Sequence, residues 1–187
     1  LFRSGARSFT VVTAAAAQVH DLDHLRRCID SLDAQDEVTV VDVTSAYATF
    51  SIMGPASRTL LQSLTPVDMS HEAFPFATSR HIDVGYATVR ATRITYVGEL
   101  GWELYVPTEF SANVFDTLMD AGGGHGLVLA GDHALDSLRM EKAYRHWGHD
   151  ITPDDTPLQA GLGFAVSWKK PDGLDRKSTR LNSSHGY

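Results

Sequence analysis

Residues 96–107 read YVGELGWELYVP, and two carboxylates, Glu99 and Glu103, stand four apart among Tyr96, Trp102 and Tyr105. An ionised carboxylate offers two coplanar acceptors, the complement of two adjacent N–H donors on a planar ring such as a pterin or a guanine. A hairpin explains the alternation and the glycines of this stretch, but it does not ask for either acid. Strand alternation puts Trp102, Leu104 and Val106 on one face, all apolar, and turns Glu103 and Tyr105 to the other. Periodicity alone leaves two readings of that second face. It is a solvent face on which Glu103 is a solubilising charge, or it is a cleft in which Glu103 binds.

Other chemistry-bearing groups have plainer readings. The GGGHG run at 122–126 has no strand feeding it and no phosphate-loop register, so it reads as a helix stop. His146 and His149 lack a third ligand at metal spacing. Asp136, Arg139, Glu141 and Arg145 recur at helical spacing, which reads as a solvated ion-pair face.

The elements that must position these groups follow from hydrophobic period. Residues 8–13 read as a strand. Asp21 caps a helix with Leu22, Leu25, Ile29 and Leu32 on one face. The β-branched run 38–43 and the alternating run 47–53 are strand candidates. Gly54-Pro55 opens a helix with Leu60, Leu61 and Leu64 inward and Pro66 as its stop. Residues 88–96 and 102–106 form the hairpin. Thr108 caps a helix carrying Phe110, Val114, Leu118 and Ala121, and Asp132 opens another through about Tyr144, with Leu135 and Leu138 inward. This order predicts an α+β class: a plait of antiparallel sheets with helices packed on one face.

Composition excludes several classes. The 187 residues are 43% hydrophobic, enough for a sizeable core, and the net charge of −7 supplies no field for phosphate backbones, so nucleic acid is not an expected partner. No apolar run reaches the roughly 18 residues of a membrane span. The single Cys28 forms no internal disulfide and suits a reducing compartment. From 174 onward, LDRKSTRLNSSHGY loses apolar periodicity and reads as a disordered tail of non-native character.

Five segments together, GPASRTLLQSL (54–64), FPFATSRHIDVG (74–85), ITYVGELGWELYVP (94–107), LDSLRMEKAYRHWGHDI (135–151) and PDDTPLQAGLGFAV (153–166), resemble the folate-binding aminomethyltransferase domain. The nearest branch looks like the C-terminal half of the FAD-dependent sarcosine and dimethylglycine dehydrogenases. Leu135 supports that branch, because the glycine-cleavage aminomethyltransferase carries an Arg at that place. The resemblance implies a tetrahydrofolate pocket in which Glu103 bonds the pterin edge, Tyr96 lies beside the folate, and Glu99 shapes the turn. It favours the cleft over the solvent face.

It also implies a divided reaction. A flavin half oxidises a methylated amine, and this half captures the one-carbon unit as 5,10-methylenetetrahydrofolate, with no metal. The expected domain is 1–173, a partial one. The family's catalytic Asp is expected upstream of Leu1 and its small β-barrel after about residue 170, so this chain alone is expected to be inactive. A stand-alone aminomethyltransferase and a non-catalytic regulatory relative are the alternatives. The expected compartment is cytoplasmic, with the mitochondrial matrix as alternative.

Overall fold

The computed structural model describes residues 2–166. The chain divides into two compact units, residues 1–47 and 48–187. The tail expected at 174–187 lies outside the described residues.

In the first unit, strand β1 (Phe2–Arg3) pairs antiparallel with β2 (Phe9–Thr10), which is shorter than the strand expected over 8–13. Helix α1 spans Gln18–Ser31 behind a 3-10 turn at Ala15–Ala17. Asp21 therefore sits within the first turn and is not the cap. There it accepts hydrogen bonds from Thr13 Oγ1 and His20 Nδ1, led by Thr13, and these hold its carboxyl below the usual range. A negative charge in a first turn also complements the helix dipole. The strand expected at 38–43 does not form. Its valines have the right shape for a sheet, but no neighbouring strand pairs with them among the described residues, and Val41 is 68% exposed.

The second unit carries the sheet. Strands β3 (Tyr47–Met53), β4 (Ser79–Val84), β5 (Ala87–Thr92) and β6 (Gly101–Pro107) lie in the order β3-β6-β5-β4. β4, β5 and β6 pair antiparallel, with Val84 opposite Ala87 and Arg90 opposite Tyr105. β4 was not expected as a strand, yet its alternation places Ile82 and Val84 inward. Gly85, at φ 59°, turns the chain from β4 into β5, where Tyr86 N–H donates to Asn113 Oδ1 at 2.9 Å.

One sheet face carries the apolar core, and the register sets Arg80 on it as well, opposite Ala91. Trp102, Leu104 and Val106 are fully buried with Val89, Ala91, Ile82 and Val84. They pack with Leu60 and Leu61 of helix α2 (Ser57–Leu64) and with Val114 and Leu118 of helix α3 (Ser111–Gly122). Burying each large side chain contributes about 1.5–3 kcal/mol. The α+β class and the helices on one face are as the sequence predicts. The caps are not: Phe110 precedes α3 after a 3-10 turn at Thr108–Phe110, and its ring is 37% exposed. At the other end α3 runs out through Gly123–His125 to Gly126 at φ 69°, so the glycine run is a helix stop.

Helix α4 spans Asp132–Glu141, shorter than expected. It ends because Ala143 takes φ 56°, which lets Tyr144 N–H return to the Arg139 carbonyl at 3.0 Å.

Candidate functional site

The polar face of the sheet is built by register. Thr92 stands opposite both Glu103 and Ser79, and Arg90 stands opposite both Tyr105 and His81. Directly opposed residues share a face, so Glu103, Tyr105, Thr92, Arg90, Ser79 and His81 form two polar rows across three strands. Ser79 Oγ and Thr92 Oγ1 are hydrogen-bonded at 2.9 Å.

Glu103 is half-buried on this face. Tyr105, also half-buried, donates its hydroxyl to Glu103 Oε2 at 2.6 Å. Burial, and then this hydrogen bond to an anion, push the Tyr105 phenol well above its ordinary range, so it stays a donor at neutral pH. One carboxylate oxygen is thereby fixed in orientation. Oε1 has no partner among the described residues, and Oε2 retains a second lone pair.

The glycines of the motif have separate tasks. Gly101 is buried against β3, where an added Cβ would lie 2.8 Å from Met53 Cγ and 3.1 Å from the Ile52 carbonyl oxygen. Gly98 adopts φ 72°, and a Cβ there would collide with the Lys142 side chain. The loop between β5 and β6 is thus pressed onto the segment that follows α4.

That packing decides where Tyr96 goes. It lies in the loop, not in β5, which ends at Thr92. Its hydroxyl donates to the Arg145 carbonyl at 3.0 Å, and its ring stacks on Tyr144 with centroids 6.2 Å apart. Burial raises its phenol, an effect that Arg139 partly offsets. No hydrogen bond or ring contact joins Tyr96 to Glu103 among the described residues. Glu99 is exposed in the same loop.

The ion-pair face expected on α4 is solvated only in part: Glu141 is exposed and the Asp136 side chain 45% exposed, but the guanidinium between them is not. Arg139 is 3% exposed. Its Nε donates to Asp136 Oδ1 at 2.7 Å, and its Nη1 donates to the Tyr144 carbonyl at 3.0 Å and to Asp150 Oδ2. The backbone N–H of His146 and then Arg139 hold the Asp150 carboxyl below the usual range, and Arg139 does the same for Asp136. Helical spacing could not reveal this, because the partner that encloses the guanidinium lies eleven residues beyond it. Arg139, Met140, Ala143, Tyr144, Arg145 and Asp150 line an open depression of about 220 Å³. The His146 and His149 rings stack at 4.4 Å, and among the described residues no group of three or more His, Cys, Asp or Glu is placed to hold a metal ion.

A family model, the GCVT N-terminal domain, matches residues 1–170. The chain belongs to that family.

GCVT-domain relatives include human mitochondrial sarcosine dehydrogenase, 42% identical over 163 residues, covering 87% of this chain and 17% of the relative. A 4-methylaminobutanoate oxidase (formaldehyde-forming) from Paenarthrobacter nicotinovorans is 43% identical over 96% of this chain and 21% of its own length. Human mitochondrial dimethylglycine dehydrogenase is 36% identical over 87% of this chain and 19% of its own length. The chain spans about a fifth of the length of these curated relatives. Among the described residues, no helix is long and apolar enough to cross a membrane.

Proposed function

We propose that this GCVT domain binds tetrahydrofolate and forms the one-carbon-transfer portion of a flavin-dependent dehydrogenase of N-methyl amines such as sarcosine or dimethylglycine. The observation that carries the reading is Glu103: a half-buried carboxylate on the polar sheet face, oriented through Oε2 by Tyr105, with Oε1 unpartnered among the described residues. Such an acceptor pair fits the adjacent N–H donors at a pterin edge. The names of the relatives, which act on N-methylated amines, support the substrate class.

Bound tetrahydrofolate supplies the amine nitrogens that take up a one-carbon unit as 5,10-methylenetetrahydrofolate. Glu103 orients the pterin, Tyr105 keeps the carboxylate in place, and the buried strand beneath them makes that placement rigid. Tyr96 borders the folate through the surface it builds with Tyr144 and Arg145, and Glu99 shapes the loop that carries Tyr96. The depression beside Arg139 is smaller than the roughly 300–1,000 Å³ of common ligand sites, so it accommodates only part of a folate. Oxidation of the amine with FAD belongs to a separate portion of the polypeptide, as does the family's catalytic Asp. The mitochondrial names of two relatives support the matrix alternative for compartment.

Equilibrium dialysis separates pterin recognition from generic carboxylate binding. Tetrahydrofolate and a reduced pterin without the aminobenzoylglutamate arm are both expected to bind and to compete. Binding of free p-aminobenzoylglutamate but not of the pterin would overturn the assignment of Glu103.

A further inference from the structure

The apolar face of the sheet holds an unusual set of polar atoms. Among the described residues, the buried side-chain nitrogens without a hydrogen-bond partner are Arg58 Nε, Arg93 Nε and Trp102 Nε1. These belong to one cluster. The guanidinium carbons of Arg58 and Arg93 lie 5.9 and 5.8 Å from the centroid of the Trp102 ring. Arg58 comes from the first turn of α2, Arg93 follows the end of β5, and Trp102 stands in β6.

Neither arginine is in an ion pair among the described residues. Arg93 is 8% exposed and spends Nη1 on the Phe74 carbonyl and on His71 Nδ1, each at 2.8 Å. Both partners are neutral acceptors when the His71 proton sits on Nε2. Burial and the neighbouring Arg58 both disfavour the Arg93 cation. Stacking over an indole attracts a guanidinium, but the ring face leaves each Nε–H without an acceptor in its plane. Two cations set over one indole, and the indole N–H itself, are all donors and lack one thing in common: an anion.

We propose that Arg58 and Arg93, with the Trp102 N–H, bind one small oxyanion, a carboxylate or a phosphate, on the helix-covered side of the sheet. The site is distinct from Glu103, whose side chain points to the opposite face of the same strand. Arg58 is only half-buried, so its arm forms the entrance. An oxyanion there supplies acceptors in the guanidinium planes and offsets the repulsion between the two arginines.

Trp102 makes the test direct. In a Trp147→Phe, Trp168→Phe background it is the sole tryptophan. Inorganic phosphate and, separately, acetate are titrated into chloride buffer at fixed ionic strength while Trp102 emission and melting temperature are recorded. A saturable emission change with a rise in melting temperature is expected; a response to both probes assigns the site to carboxylates and phosphates alike, and a response to one assigns it to that class. Arg58→Met should weaken the response about 10- to 150-fold, the loss of a charge-assisted hydrogen bond. In chloride alone the same variant should be at least as stable as the parent, since it removes a like charge beside Arg93. Arg93→Met also breaks the bond to Phe74 and risks unfolding, so Arg58→Met carries the test. Glu103→Gln should leave the response intact, which separates this site from folate binding. No saturable response to either probe, an equal response in Arg58→Met, or a loss of stability in that variant in chloride alone would overturn the proposal and leave cation–π packing as the role of Arg58.

Discussion

Replacing Tyr105 by Phe removes one hydroxyl and leaves the half-buried ring in place. The lost interaction is the 2.6 Å bond to Glu103 Oε2. A hydrogen bond to a charged partner is worth about 1.5–3 kcal/mol. Glu103 is only half-buried, so the released carboxylate recovers water, and the net cost falls to about 1 kcal/mol. For a chain of this size that lowers the melting temperature by about 2–4 °C.

The alkaline limb gives a second, independent reading. The Tyr105 phenol is raised in the folded state, first by burial and then by Glu103. Its contribution is therefore complete below the unfolded value of about 10 and is lost as pH rises towards the folded value. The slope approaches about 1.4 kcal/mol per pH unit. Parent and Tyr105→Phe stability curves should therefore meet roughly one unit above pH 10. The assay is urea unfolding of both proteins across neutral and alkaline pH. Equal stability at pH 7, or alkaline limbs that run parallel, would refute the half-buried phenol–carboxylate pair.

Leu104→Ala, at a fully buried position in β6, should cost about 2–5 kcal/mol in the same unfolding assay, and a loss near zero would place that face outside the core. Ala143→Gly should raise stability by up to about 1–2 kcal/mol, because glycine adopts φ 56° without the penalty of a Cβ. The carboxyls of Asp136 and Asp150 are held down in the folded state, so their support for Arg139 is present above the unfolded value of about 3.9 and is lost as pH falls below it. Amide hydrogen exchange of Tyr144, whose N–H is bonded to the Arg139 carbonyl, should lose protection beyond the intrinsic pH dependence in that acid range, while the core amide of Leu104 keeps its protection.

Much of the fold was legible because a two-residue period leaves few choices. Once Trp102, Leu104 and Val106 alternate with Glu103 and Tyr105, burying one set turns the other to the opposite face. The strand expected at 38–43 failed for the complementary reason: β-branched composition suits a sheet, but a strand exists only with a partner, and partners are tertiary. The loop was misread as strand beyond Thr92 because, after Arg93 makes its last backbone bonds to Ala77 and Thr78, the positive φ of Gly98 and its contact with Lys142 take residues 94–100 away from the sheet. Tyr96 consequently meets Tyr144 and Arg145, which no pairing register could indicate. Arg139 shows the same limit. Charges at helical spacing look alike whether their own side chains face water or, like the Arg139 guanidinium, are buried under a partner from beyond the helix.

The central claim is that Glu103 is the acceptor for a pterin edge, and calorimetric titration of a reduced folate tests it most directly. Parent, Glu99→Gln and Glu103→Gln proteins are compared. Glutamine keeps the size of Glu103 but turns one acceptor into a donor, so one N–H···O bond becomes a donor–donor clash while Trp102, Leu104 and Val106 stay buried. Affinity should fall about 10- to 150-fold for Glu103→Gln and less for Glu99→Gln. Folate binding by Glu103→Gln as tight as in the parent would contradict the account and return Glu103 to the role of a surface charge.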